Sequence, residues 1–283
     1  MATFTNQATL TYNNTTTNSN IVTGELLEVL SITKTAVVDS YDINGTVTYV
    51  VSVVNSGATA FNGLTLTDDL GGTAIGETTV YPLAYAADSV LYYINGTLQP
   101  APAVTAGPPL TIGGISVPAG GNATIIYEAD VTANASPEVE GTIINEATLS
   151  GGGLTNAISD TETVTAAIGP NLTITKNISP GSVAENGRLT YTLTVVNIGN
   201  EAATADDDIV ITDTFDPILS DITVTLNGTV LTEGTDYTYN ETTGEFRTVQ
   251  GRVTVPAATF TRTPDGTYTS EPGIATLTIS GTV

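Results

Sequence analysis

One strand pair occurs twice in this chain, and the first copy has no domain before it to close. Thr5-Asn6-Gln7-Ala8-Thr9-Leu10 is echoed by Ile144-Asn145-Glu146-Ala147-Thr148-Leu149. The first copy is followed by Asn18 to Val22 and the second by Leu154 to Ile158, which are again alike. From Met1 to Tyr12 the pattern is period two. Phe4, Asn6, Ala8, Leu10 and Tyr12 share one face, and Thr3, Thr5, Gln7, Thr9 and Thr11 the other, as in a strand with one buried side.

The C-terminus supplies the reason for the misplaced copy. Ala275 to Val283 aligns with Ala123 to Val131, after which the first module runs on to its closing strands and the second stops. The sequence therefore predicts an N-terminal donor strand segment (1–28), a complete β-sandwich domain (29–168), and an incomplete one (169–283) beginning at the Gly169-Pro170 step. A sheet without its last strand leaves unpaired backbone groups and an open apolar groove, which a strand of matching pattern fills by addition. When that strand belongs to another copy, the contact is head to tail and need not close on itself.

Repeat order supports two modules. Leu30-Ser31-Ile32-Thr33-Lys34 is matched by Leu172-Thr173-Ile174-Thr175-Lys176, and the long stretch Gly45 to Gly57 by Gly187 to Gly199. Leu64 to Asp68 is matched by Ile209 to Asp213. Short strands separated by Gly, Asn and Pro turns indicate an all-β chain, two tandem immunoglobulin-like β-sandwich domains. Asn13 to Asn20 reads as a loop with little reason to order by itself. No apolar run is long enough to span a bilayer, so no membrane insertion is expected.

Charge and residue usage narrow the chemistry. A formal net charge of −23 argues against nucleic acid as a partner. With no Cys and no His, disulfides, thiol or imidazole nucleophiles and zinc-type metal sites are excluded. Carboxylate Ca²⁺ sites are not, yet Asp206-Asp207-Asp208 reads as a solvated loop. Asn44-Gly45, Asn95-Gly96 and Asn227-Gly228 read as tight hairpin turns before they read as glycosylation sites. Tyr92, Tyr93, Tyr237 and Tyr239 read as strand-core aromatics before they read as a carbohydrate platform. No cofactor is implied, and no nucleophile–base pair or phosphate loop suggests a turnover enzyme.

The two lysines, Lys34 and Lys176, occupy equivalent positions in the repeats. Each shares its parity with aliphatic neighbours and so points toward a core. Asp68 and Asp213 pass the same test, as do Asn145 and Asn6. An unpaired buried ammonium is costly and tends toward neutrality, and a neutral amine is a nucleophile. Each completed module thus holds the parts of an isopeptide bond: a Lys amine to attack the Asn carboxamide, and a protonated Asp to donate to its oxygen and shuttle protons while ammonia leaves. Proximity alone can be worth about 7–11 kcal/mol of the barrier. The competing reading is a buried Lys–Asp ion pair with Asn filling a polar gap.

The phrases Ile-Thr-Lys, Tyr-x-x-x-Val-x-Asn-x-Gly, Thr-Asp-x-(Leu/Phe) and Asn-x-Ala-Thr-Leu, in this order over nearly the whole chain, resemble the conserved repeat domain of bacterial and archaeal surface proteins catalogued as of unknown function. The resemblance implies immunoglobulin-type sandwiches of stalks and fibres. Similarity to isopeptide-containing pilins and adhesins implies a Lys-to-Asn crosslink between first and last strands. The chain departs from ordinary stalks in its permuted end strand, and shows neither a basic-then-apolar secretory segment nor a wall-sorting tail.

The resulting expectation is a structural subunit of an extracellular fibre, pilus-like or a spore appendage at the cell or spore surface. Its partner is itself. Lys34 and Asn145, with Asp68, form an intramolecular bond; Lys176 bonds Asn6 of the next copy, with Asp213 as the promoting acid. The alternative is a monomeric adhesin or surface-layer stalk whose N-terminal strand folds back on its own second domain.

Overall fold

The structure is a computed structural model and describes residues 2–283; Met1 lies outside the described residues. It is all-β, as the turn spacing predicts, and its apolar side chains gather in two cores. One draws on residues between Leu30 and Ala166, the other on residues between Leu189 and Ile279.

The N-terminal strands come first. β1 (Ala2–Asn6) pairs antiparallel with β4 (Val22–Leu26), placing Asn6 opposite Val22. β2 (Thr9–Tyr12) pairs with β3 (Thr15–Asn18) around a turn in which Asn13 and Asn14 both take positive φ. The expected Asn13–Asn20 loop is thus mostly a hairpin. Two consecutive left-handed asparagines make the turn whose twist suits antiparallel strands, and β-branched threonines flank it. Phe4, Leu10, Tyr12 and Val22 are exposed. None of these four strands pairs with a strand of either core, so the fold-back arrangement is not the one adopted.

The first sandwich opens with β5 (Leu30–Ala36), followed by β6 (Ser40–Tyr41), β7 (Thr46–Asn55) and β8 (Phe61–Asp68). Short strands β9 to β14 lie between Thr73 and Thr105, among them β12 (Leu91–Ile94). β15 (Leu110–Val117), β16 (Asn122–Val131), β17 (Thr142–Gly151) and β18 (Ile158–Ala166) complete it. One sheet runs β12-β16-β7-β5 and the other β15-β8-β17-β18-β6. Strict alternation along β7 buries Val47, Tyr49, Val51, Val53 and Asn55 on one side, as the period-two pattern requires. Asn55 ends the strand: its Oδ1 accepts from the Gly57 N–H at 2.9 Å, and its amide donates to Thr59 and Pro118 carbonyls.

The second sandwich repeats this with fewer strands. β19 (Leu172–Ser179), β20 (Arg188–Asn197) and β28 (Gly273–Thr282) stand where β5, β7 and β16 stand in the first, in the order β19-β20-β28, and β22 (Ser220–Leu226) and β23 (Thr229–Val230) extend that sheet beyond β28. β20 carries the same terminal device, Asn197 Oδ1 accepting from the Gly199 N–H at 2.9 Å. The facing sheet is small. β21 (Thr212–Thr214) pairs with β25 (Glu245–Thr248), which pairs with β24 (Tyr237–Tyr239). Where β8 is flanked by β15 and β17, β21 has a partner on one side only. The strand expected from Ile209 to Asp213 is accordingly short, because a strand with one neighbour gains half the ladder.

A hairpin of β26 (Thr259–Arg262) and β27 (Tyr268–Glu271) reaches from the second unit to the first, with the Tyr268 N–H donating to the Ala133 carbonyl at 3.0 Å. Asn200 reinforces the joint by donating to the carbonyls of Pro137 and Ala167.

Candidate crosslinking site

β5 and β8 belong to opposite sheets, and their inward side chains meet at Lys34 and Asp68. Lys34 Nζ lies 2.5 Å from Asp68 Oδ2, with both side chains almost fully withdrawn from solvent. The Tyr127 hydroxyl donates to that same oxygen, and the Leu70 N–H donates to Oδ1 at 3.0 Å. Burial pulls the Lys34 ammonium below its ordinary range, against the opposing attraction of Asp68. Its charge also sits 4.6 Å from the centre of the Tyr49 ring.

Asn145 completes the trio. On β17, Ala147 stands opposite Asp68 of β8, so Asn145, two residues along, projects into the same interior; it is 0% exposed. The next strand, β18, runs beside β5, where the Lys34 N–H donates to the Asp160 carboxylate at 2.7 Å. Neither atom of the Asn145 carboxamide has a hydrogen-bond partner, and neither has the Tyr49 hydroxyl. The two groups are close enough for the carboxamide to act on the phenol, but they complete no hydrogen bond. Burial nonetheless pushes the Tyr49 phenol well up, with Asn145 opposing. Orphaned polar groups of this kind cost about 1–3 kcal/mol each, so their presence in a close-packed core calls for a reason.

The second unit reproduces half of this. Lys176 Nζ lies 2.5 Å from Asp213 Oδ2 and 4.3 Å from the centre of the Tyr191 ring. Tyr191 pairs across the sheet with Ile279 as Tyr49 does with Tyr127. The Lys176 side chain, however, is 39% exposed, and Ile174 and Ile178 on the same face of β19 are exposed too. Nothing covers them as β17 and β18 cover Lys34. Asn6 is exposed on β1 and stands apart from the Lys176–Asp213 pair, so one of the two expected trios is assembled within this chain and the other is not.

The first trio holds a buried ion pair beside a carboxamide, and with it the groups an isopeptide bond needs: were the proton passed from Lys34 to Asp68, the neutral amine would attack Asn145 Cγ and the Asn nitrogen would leave as ammonia, with protons passed through Asp68. Sequence reasoning located Lys34, Asp68 and Asn145 but not Tyr49, Tyr127 or Asp160. Tyr49 had a signal, because Tyr49 and Tyr191 are the single aromatics of the two long strands and sit at the same position. Tyr127 had none, since Ile279 replaces it in the other copy. Of the discounted signals, Asp206 and Asp207 lie in a single 3₁₀ turn capped by Thr204. Among the described residues, no group of three or more acidic side chains is placed to hold a metal ion.

No family model matches the chain, and no curated protein matches it. Solved structures do. The pilus backbone RrgB of Streptococcus pneumoniae aligns at 13% identity and a TM-score of 0.34, covering 86% of this chain and 55% of that one. The major pilin subunit BcpA of Bacillus cereus aligns at 11% identity and a TM-score of 0.35, covering 96% and 73%. The collagen adhesin CNA of S. aureus aligns at 14% identity and a TM-score of 0.31, covering 56% and 55%. The chain thus spans about half the length of the pilus backbone and of the collagen adhesin.

Proposed function

We propose that the chain is the structural subunit of a self-assembling extracellular fibre, built from a donor segment (1–28), a complete sandwich (29–168) and an incomplete one (169–283). The donor segment of one copy completes the incomplete sandwich of the next. Lys34–Asn145 bonds lock each complete sandwich, and Lys176–Asn6 bonds, promoted by Asp213, lock each junction. The single observation that carries this reading is the open edge of β21 beside the uncovered inward face of β19, where the first unit has its β17–β18 pair. The free β1–β4 pair resembles β17–β18, with Asn6 facing Val22 as Asn145 faces Glu162.

Docked in the register that β17 keeps on β8, Ala8 falls opposite Asp213 and Leu10 opposite Ile211. Phe4, Leu10, Ile174 and Ile178 then leave water together, each worth up to about 1.5–3 kcal/mol if fully buried. The fibre belongs at a cell or spore surface, and its bond formation is a single turnover rather than enzymatic catalysis.

Denaturing electrophoresis of boiled protein, with intact mass and peptide mapping, tests the reading. A ladder carrying a Lys176–Asn6 junction, short by one ammonia per bond, is expected. Asn6→Ala leaves fibres that denaturant dissolves, and removal of residues 1–12 leaves none while the first sandwich stays folded. Fibres formed by the truncated chain would refute strand donation.

A further inference from the structure

The orphaned hydroxyl of Tyr49 belongs to a ring that has a counterpart in the second sandwich. Tyr191 occupies the same position on β20, and both rings carry a lysine ammonium over their faces, at 4.6 and 4.3 Å. In the first sandwich the hydroxyl is buried beside a carboxamide that is itself unpinned at both ends. Neither the oxygen nor the nitrogen of that carboxamide is held by a hydrogen bond, and the phenol is the neutral donor beside it. Tyr127 is already committed to Asp68.

We propose that Tyr49, and Tyr191 in the sandwich completed by another copy, hold the oxygen of the Asn carboxamide as the isopeptide bond forms. The assignment rests on the crosslinking reading above. In the step itself, the Lys Nζ–Cγ bond forms as the carboxamide C=O opens to a tetrahedral oxyanion, which accepts from the tyrosine hydroxyl. The oxyanion collapses, the Cγ–Nδ2 bond breaks, and ammonia departs with one proton from the amine, relayed by the aspartate. The tyrosine keeps its proton throughout. Its hydroxyl has no partner in the resting fold and gains its strongest acceptor as charge builds on that oxygen, and an interaction that strengthens there lowers the barrier. Tyr127 does not serve in this role in both sandwiches, because Ile279 holds its place in the second.

Tyr191→Phe in the full-length chain tests this, since it keeps the ring that packs on Phe215 and under Lys176. Fibres are followed by electron microscopy under native conditions and the covalent ladder by denaturing electrophoresis over time, both against wild type. The expected result is native fibres at the wild-type level with ladder formation slowed about a hundredfold or more, the usual effect of removing one such donor. A ladder at the wild-type rate overturns the assignment and leaves the fibre reading standing. Native fibres lost along with the ladder also overturn it, marking Tyr191 as a packing residue. Tyr49→Phe gives an independent arm, in which intact mass shows a large fraction of freshly folded chains still retaining the ammonia that wild type has lost. A wild-type chain that loses no ammonia in either sandwich sinks the crosslinking reading and this assignment together.

Discussion

A lysine, an aspartate and an asparagine buried side by side behave differently according to which one is removed. Asp68→Ala leaves the Lys34 ammonium in the core without its partner and is expected to cost about 3–5 kcal/mol in urea unfolding. Asn145→Ala keeps the ion pair, so it loses the crosslink with a much smaller penalty and a mass equal to that of its sequence. That second variant also exposes a pH dependence. Lys34 releases its proton more readily folded than unfolded, where its ordinary value is 10.5. Between the lowered and the ordinary value the unfolded chain holds the extra proton, so stability rises with pH across that window. Tyr49 and Tyr127 act in the opposite sense, but only above their ordinary value of 10.0. Urea stability of Asn145→Ala should therefore climb as pH rises from the lowered value of Lys34 toward about 10, and adding Lys34→Met should flatten the climb. These residues were legible because parity along a strand reports which side chains face inward. Tyr127 and Asp160 were not, because their roles depend on which strands lie opposite, and sequence order does not state that.

At the level of elements, the long strands and their Asn-x-Gly ends are written locally and could be read directly. Asn55 and Asn197 each fold an amide back onto two carbonyls and a glycine N–H, a device complete within a few residues and one neighbouring loop. The β26–β27 hairpin was not legible, since the first module offers no copy to compare it with. Its tip is tightly fitted. Gly266 has φ +93°, and a Cβ there would stand 2.6 Å from Val80 Cγ1 and 3.0 Å from Ile75 Cδ1. Gly266→Val combines that crowding with an unfavourable backbone angle, at a cost of about 1–3 kcal/mol to the docked hairpin. The expected readouts are faster protease cutting in 167–171 and a larger scattering radius, with both sandwiches still melting cooperatively; an unchanged radius would show the joint to be held elsewhere. The shortness of β21 belongs to the same scale, for a strand's extent is set by its neighbours as much as by its own residues.

The whole molecule carries a formal net charge of −23, so its copies repel one another as they approach. Raising salt from about 0.01 M to 0.15 M shortens the screening length from roughly 30 Å to 8 Å, and light scattering should then show assembly accelerated about tenfold or more. Slower assembly at the higher salt would mean that attraction between opposite charges, instead of apolar burial, drives the junction. The strand order has one further consequence. The first sandwich is entered at Leu30 and left at Ala166, and Lys34 and Asn145 lie on the first and next-to-last strands between those points. In a fibre so locked, a pull along the axis passes from 30–34 straight into 145–166. Residues 35–144, which would otherwise pay out roughly 360–400 Å of chain at about 3.3–3.6 Å per residue, stay slack-free and folded while the load goes past them.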